Sequence, residues 1–431
     1  MDGQQIRGAG VSAHPVGPVS VFSHRAFALF WAARVLLALA VQAQSVTIGW
    51  QVYTVARQTR SVEQGAFLVG MVGLAQFVPL FLLTLLAGAT ADRRDRRTIV
   101  LVCLGIEIAC VLALAAFSRQ PAAGLAPVFA IATVFGASRA FLSPANGAMG
   151  PMLVPRALLP RAVSWNSLGD QTGWMIGPWI GGALCAVSPA AAYGGSATLY
   201  ALAAMALLCL RANTRPVPQP GSGLAQIREG LAYVWANKIV LGATSLDLFA
   251  VLLGGATALL PVFASDVLNV GAHGFGLLRS GPAIGAAVMA LALSRWPLHR
   301  RAGHWMFAGV AAFGVSTLVF ALSRSLWLSV GALVALGAAD MVSVYVRQSL
   351  VQIATPDHMR GRVSAVSGLF IGASAELGEF ETGLVARLLG PVGAAVFGGL
   401  GALVVTGTWA WMFPALRQAN RLDGGGDTAV R

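Results

Sequence analysis

An all-α membrane protein is predicted, with twelve transmembrane helices in two pseudo-symmetric six-helix bundles, and three observations predict it. The 431-residue chain is 57% hydrophobic and only 10% charged, with a mean hydropathy of +0.73; soluble chains carry about 25% charged residues. A hydrocarbon layer of about 30 Å takes roughly 20 apolar residues to cross, and about twelve stretches qualify, near 27–53, 66–90, 98–118, 125–145, 162–187, 190–210, 239–263, 273–294, 303–322, 326–346, 363–386 and 391–413. The third observation is an internal echo. Pro160-Arg-Ala-Val-Ser164 precedes the fifth span as Arg360-Gly-Arg-Val-Ser364 precedes the eleventh, and the basic turn after the second span (Arg93, Arg94, Arg96, Arg97) returns after the eighth (Arg295, His299, Arg300, Arg301). Two halves related by an axis along the membrane normal carry this signature.

In chain order, residues 1–24 form a polar, Gly/Pro-rich tail with no cleavable signal, followed by a first six-helix bundle over 25–211. Residues 212–238 are a linker, rich in Pro216, Pro218, Pro220, Gly221 and Gly223 and then amphipathic from Leu224 to Trp235; the second bundle covers 239–415 and a tail covers 416–431. The net charge of +13 is not a nucleic-acid patch, because its residues sit between apolar spans. Of the 29 Lys and Arg, 21 fall in the tails and even-numbered connections, five in odd-numbered connections and three inside spans. Positive loops stay inside, so both tails and the linker are expected in the cytoplasm, in a multi-pass membrane protein. Cys103, Cys110, Cys185 and Cys209 fall within spans without metal-ligand spacing. No Walker-type phosphate loop, HExxH, CxxC or GxSxG pattern occurs, so hydrolytic enzyme classes lack support and neither a metal nor a cofactor is expected.

The fifth span contains Gly173, Gly177, Pro178, Gly181 and Gly182 in ten residues. Gly costs a helix about 1 kcal/mol and Pro about 3 kcal/mol relative to Ala, so this helix must need close backbone approach and a bend that neighbours support. Arg139 lies roughly 10 Å inside the inner edge of the fourth span at 1.5 Å per residue; it either snorkels to the headgroups or takes an acidic partner. Glu107, Asp170, Asp247 and Asp340, with Arg34, are at similar depth, and Asp170 and Asp340 are the preferred pair for roles at the interface between halves.

The eleventh span holds Glu376, Glu379 and Glu381 in six residues. Glu376 and Glu379 share a helix face, and Glu381 is turned away from Glu379 by roughly 160–200°. Clustered, desolvated acids exchange protons near neutral pH, so these three, with Asp170, Asp340, Asp247 and the outer-half Arg279, are the candidates for proton coupling or substrate recognition; a static Glu–Arg pair is the alternative. Gln42, Gln44, Trp50 and Gln51 in the first span, with Asn146 and Tyr345, are candidates for lining a cavity that suits an organic molecule, or else for hydrogen bonding between helices.

The fifth-span run matches every fixed position of GxxxGPxxGG, and here the chain resembles the major facilitator superfamily, whose antiporter motif this is. Gly88-Ala-Thr-Ala-Asp92-Arg93-Arg94-Asp95-Arg96-Arg97 resembles the GxxxDRxGRR loop of that family, with Asp95 in place of the second glycine, and Phe135 to Pro144 resembles its arginine-bearing fourth helix. The resemblance implies that Gly88, Asp92, Arg93, Arg96, Arg97 and Arg139 serve gating and contacts between the bundles, with Asp92 facing the N-terminus of the eleventh span. Gly49-Trp50-Gln51-Val-Tyr53 and the run from Gln348 to Ser364 are similar to the exporter branch that holds the enterobactin exporter and the transmembrane secretion effectors. What this implies is a secondary transporter, not an enzyme: proton-coupled export of a siderophore or drug-like molecule by alternating access. Its expected partners are that small molecule, protons and membrane lipid, and the protein is expected to be a monomer. An importer, a lysophospholipid flippase and a membrane sensor are the other readings the same fold allows.

Overall fold

The computed structural model describes residues 20–120, 124–155, 158–215, 223–298, 300–356 and 359–419. Most of both predicted tails, Pro216 to Ser222 of the predicted linker, and His299 lie outside the described residues. The regular structure is helical: α1 (Arg25–Ala56), α2 (Val62–Ala91), α3 (Arg96–Phe117), α4 (Ala126–Met149), α5 (Leu159–Val187), α6 (Pro189–Leu208), α7 (Gly223–Ala236), α8 (Lys238–Leu253), α9 (Leu260–Val262), α10 (Gly271–Arg295), α11 (Ala302–Leu322), α12 (Leu326–Ala354), α13 (Arg360–Met412) and α14 (Pro414–Arg417).

Ten helical stretches among the described residues are long and apolar enough to cross a membrane. The longest lies in α13, which breaks at Gly390 (φ 74°) just before Pro391 and so supplies two lengths of helix. The more polar α5, 29 residues long, is also of spanning length. The whole is consistent with twelve crossings.

Local chemistry sets the ends. Ser61 and Gln64 form a reciprocal capping box at the start of α2, and Asp95, Ser188 and Asn237 each cap a helix with a side-chain oxygen. Helix α1 packs on α5 and α6, and α3 on α4 and α6, forming a first bundle; α12 packs on α10 and α11, and α13 on α8 and α11, forming a second. Apolar surface does not drive association in lipid, so small residues that allow close approach do the joining. A Cβ added to Gly136 would lie 2.1 Å from the carbonyl oxygen of Gln76, and one on Gly285 1.8 Å from that of Val334. The amphipathic stretch of the linker is α7, anchored on the second bundle by an Arg362–Glu229 contact of 2.5 Å and by the Tyr233 hydroxyl donating to the Ala354 carbonyl.

Candidate functional site: a charged junction between the bundles

The bundles meet along α2–α13 and α5–α10, and they meet at one end. A Cβ on Gly70 would lie 2.8 Å from the Cα of Gly383, and one on Gly182 would lie 2.7 Å from the Cα of Gly276. Gly88 stands five turns beyond Gly70 on the same face of α2 at 3.6 residues per turn, yet among the described residues a Cβ there would meet nothing within 4 Å. Gly372, about three turns before Gly383 on α13, is equally open. Among the described residues, then, the two helices are in close contact at the far end and open toward the arginine-rich end that holds Arg93 and Arg362.

A latch reinforces the far end. Asp266, in the π-turn Phe263–Val267, accepts from Arg57 Nη2 at 2.9 Å and from the Tyr53 hydroxyl, tying α1 to the second bundle. Trp50 of α1 stacks on Phe275 of α10 at 4.9 Å.

Just beneath this closure, Arg139 Nη1 of α4 donates to Glu376 Oε1 of α13 at 2.6 Å and to Gln76 Oε1 of α2 at 3.3 Å. Beside the pair is a cavity of about 40 Å³ whose polar lining is Ser45, Gln76, Thr257, Arg279 and Glu379. One water needs about 10–15 Å³ by this measure, so the space holds a few waters and no organic molecule. Arg279 Nη1 donates to the Thr257 carbonyl at 3.4 Å. That carbonyl is available because the seventh crossing is interrupted: α8 ends before Gly254 and Gly255, and a short 3-10 turn, Ala256–Leu259, follows. Interrupted helices expose backbone groups where sites are built. Glu381 accepts from Thr382 Oγ1 at 3.4 Å.

Of the other acids placed at the depth of Arg34 and Arg139, those that form ion pairs do so within one bundle. Arg139 does not take its ion-pair partner from Asp170, Asp247 or Asp340. Asp170 binds Arg34 through two hydrogen bonds of 2.6 and 2.8 Å inside the first bundle, and Asp247 lies 3.2 Å from Arg347 inside the second. Asp340 shares a small cavity with Asp247, so it is not brought to Asp170. Arg347, which the span boundaries place in a connection, is 5% exposed within α12. Helix α12 extends past the apolar stretch to Ala354, and Asp247 offsets the Arg347 charge there. Counting the buried stretches of the spans, seven carboxylates (Glu107, Asp170, Asp247, Asp340, Glu376, Glu379, Glu381) face four arginines (Arg34, Arg139, Arg279, Arg347). The Asp170 side chain is 42% exposed, so solvent meets part of this excess, and the enclosed acids are the ones a proton or a cationic ligand would neutralise.

At the arginine-rich end, Arg96 donates to the Ala148 carbonyl of α4 at 3.0 Å, and Arg97 donates to the Leu207 and Leu208 carbonyls that end α6, each at 2.8 Å. Arg93 is exposed, and Asp92 lies 4.0 Å from Arg96 with its side chain 62% exposed. The expected contact of Asp92 with the start of the eleventh span falls on Arg360, Gly361, Ser364 and Ala365, which lie outside the residues whose side chains are described. Asp95 caps α3 at φ −60°, a conformation that needs no glycine, which explains why the turn tolerates the departure.

Three antiporter-motif glycines face α1: Gly173 meets Ala38, Gly177 meets Leu39 and Gln42, and Gly181 meets Ala43. Gly182 alone of the four meets the opposite bundle, with Pro178 inside the helix between them. Of the cavity candidates, Gln44 and Gln51 are instead bound by the hydroxyls of Tyr200 and Tyr193 of α6, at 2.7 and 2.6 Å. Gln42 lies against Gly177, and Asn146 and Tyr345 are half-buried; none of these lines the junction cavity.

A family model described as transmembrane secretion effector matches residues 16–424. The chain belongs to that family. This secretion effector is 26% identical over 391 residues to the enterobactin exporter EntS of Shigella boydii serotype 18 and to that of Escherichia coli O1:K1, which covers 89% of the chain and 90% of each relative. Among solved structures it is similar to a D-xylose–proton symporter (TM-score 0.70, 12% identity, 95% of this chain and 100% of that one) and to a POT family transporter in complex with 5-aminolevulinic acid (TM-score 0.68, 14% identity, 91% and 96%). A bacterial homologue of the iron transporter ferroportin in its inward-facing state matches with a TM-score of 0.64 at 17% identity over 90% of this chain and 98% of that one. These likenesses show the major facilitator fold, and the family is one of transporters, not enzymes.

Sequence reasoning missed several residues of the secretion effector's junction. Arg57 and Asp266 lie just beyond the apolar stretches, where a charge attracts no notice. The Gly254-Gly255 pair inside an apolar span was the available signal for the interruption. Tyr193 and Tyr200 are seven apart on α6, as Gln44 and Gln51 are on α1, a match of two helical turns on antiparallel helices.

Proposed function

We propose that this secretion effector exports a small organic molecule across the bacterial inner membrane in exchange for protons. The arginine-rich end is cytoplasmic by the positive-inside rule, so the splayed arrangement is inward-facing and offers its open side to a cytoplasmic substrate. One observation carries the reading: the Arg139–Glu376 pair joins the two bundles at the closed end, next to the water-sized cavity of Glu379 and Arg279. Charge there is in the position where a change of protonation alters whether the bundles hold together. Glu379, with Glu376 on the same face, is the coupling carboxylate in this reading. The similarity to enterobactin exporters supports export over import, and a siderophore or drug-like substrate. Proteins that move solutes by rocking two halves need no partner subunit, so the functional unit is a monomer embedded in lipid.

The test is a comparison of all metabolites outside and inside cells of a deletion strain and its parent. One organic compound depleted outside and accumulated inside supports export. A compound that instead disappears from the cell interior and persists in the medium points to import, and movement of labelled lysolipid between leaflets points to a flippase; either result replaces the proposal.

A further inference from the structure

Glu107 is the most enclosed acid of the first bundle. It is 1% exposed on α3, and among the described residues neither carboxylate oxygen has a hydrogen-bond partner. Ser138 of α4, Tyr200 of α6 and Gln44 of α1 bring polar groups close to it without closing a hydrogen bond, and Cys103 and Cys110 of its own helix and Arg139 of α4 complete its surroundings. Tyr200 spends its hydroxyl on Gln44, and the Ser138 hydroxyl is itself unpartnered. Among the described residues the cation beside it is Arg139, whose Nη1 is turned away to Glu376 across the junction. A buried ionised acid without hydrogen bonds is costly, and a proton removes that cost.

Arg139 is thus flanked by one acid from each bundle, and it is bonded to the one in the opposite bundle. We propose that Glu107 is a proton-binding site that competes with Glu376 for Arg139, protonated in the inward-facing state and ionised once the guanidinium leaves Glu376. Arriving substrate or opening of the far end breaks the Arg139–Glu376 pair; the Glu107 O–H bond then breaks, the carboxylate keeps the electron pair and binds Arg139, and the proton leaves to water. The exit is the water-sized cavity, because Gln76, to which Arg139 donates, lines it and the Arg139 side chain is 30% exposed. The inference rests on the proton-coupled reading and deepens it: Glu376 and Glu379 would sense the junction, while Glu107 stores a proton behind it.

Infrared spectroscopy of the full chain in lipid at neutral pH tests it through the C=O stretching band of protonated carboxyl groups. The parent minus Glu107→Gln difference should show one such band lost, Glu107→Asp should move the band without abolishing it, and Glu376→Gln should lose the same band because freed Arg139 ionises Glu107. Should Glu107→Gln not fold, the shifted band of Glu107→Asp gives the same assignment. A spectrum unchanged in both Glu107 variants overturns the proposal, as does a Glu107 band that survives in Glu376→Gln. Proton flux coupled to the exported compound is measured on the same vesicles: its absence in the parent overturns the transport reading itself, whereas its presence without a Glu107 band overturns this inference alone.

Discussion

Arg139 of α4 and Glu376 of α13 stand 2.6 Å apart across the junction of the two bundles, with side chains 30% and 10% exposed. A pair so placed belongs to both halves at once, and it lies on the closed side of the splay between α2 and α13. Breaking a buried pair by removing one partner costs about 3–5 kcal/mol; the partial exposure of Arg139 reduces this to about 1–3 kcal/mol, the cost of losing a charged hydrogen bond.

Glu376→Gln is therefore expected to shift the population toward far-end opening. Spin labels at Thr59 and His273, on a Cys209→Ser background, report the far-end distance. A longer-distance population should grow in the variant. An unchanged distribution would show that the latch of Tyr53, Arg57 and Asp266 holds the far end alone.

Gly182 and its neighbours in the antiporter motif should separate by role. Leucine at Gly182 meets the Gly276 backbone of the other bundle, so Gly182→Leu is expected to keep folded yield and lose far-end closure in the same spin-label measurement. Gly177→Leu and Gly181→Leu push against α1 within one bundle and should lower the yield of folded protein in gel filtration. Equal yields for all three would contradict this division.

The Gln51–Tyr193 bond is fully enclosed, with Gln51 5% and Tyr193 0% exposed. Gln51→Leu leaves the tyrosine hydroxyl unsatisfied, which costs about 1–3 kcal/mol. Thermal unfolding in detergent should show that loss, and adding Tyr193→Phe should restore most of it. Additive losses in the double variant would mean the bond contributes little.

Asp95 lies outside the membrane spans. Burial raises its carboxyl, but hydrogen bonds from Thr214, Thr98 and the Arg97 backbone outweigh this and hold it below the ordinary aspartate range. A group lowered in the folded state stabilises above its unfolded value, about 3.9, and loses that contribution as pH falls through the folded value. Asp95→Ala should cost about 1 kcal/mol at neutral pH, with the gap to the parent narrowing in acid, and Asp95→Asn should retain most of the cap. A gap that stays constant into acid would contradict the assignment.

The architecture was legible because its signals are coarse: apolar length sets crossings, and the arginine bias orders the connections. The glycines at Gly173 to Gly182 announced close packing, but which helix each one meets depends on rotation about α5, and periodicity fixes faces only relative to one another. Depth estimates placed Arg139 in the inner half and Glu376 in the outer half, and the pair was missed because a long guanidinium reaches across the difference. Asp247 was visible as a buried acid, while its partner Arg347 hid at the end of an apolar stretch that the helix outruns. Gln44 and Gln51 marked the first helix as polar; their partners on α6 show that this polarity ties helices together away from the junction cavity.

The most direct test of proton-coupled export places Glu379→Gln and Glu376→Gln, singly and together, in proteoliposomes with the compound that the metabolite comparison identifies. Glutamine keeps the shape of a permanently protonated acid, so Glu379→Gln should lose transport driven by a pH gradient while retaining counterflow, and Glu381→Gln should be milder. Transport driven by the pH gradient at the parent's rate in all three junction variants would contradict the assignment of coupling to these carboxylates.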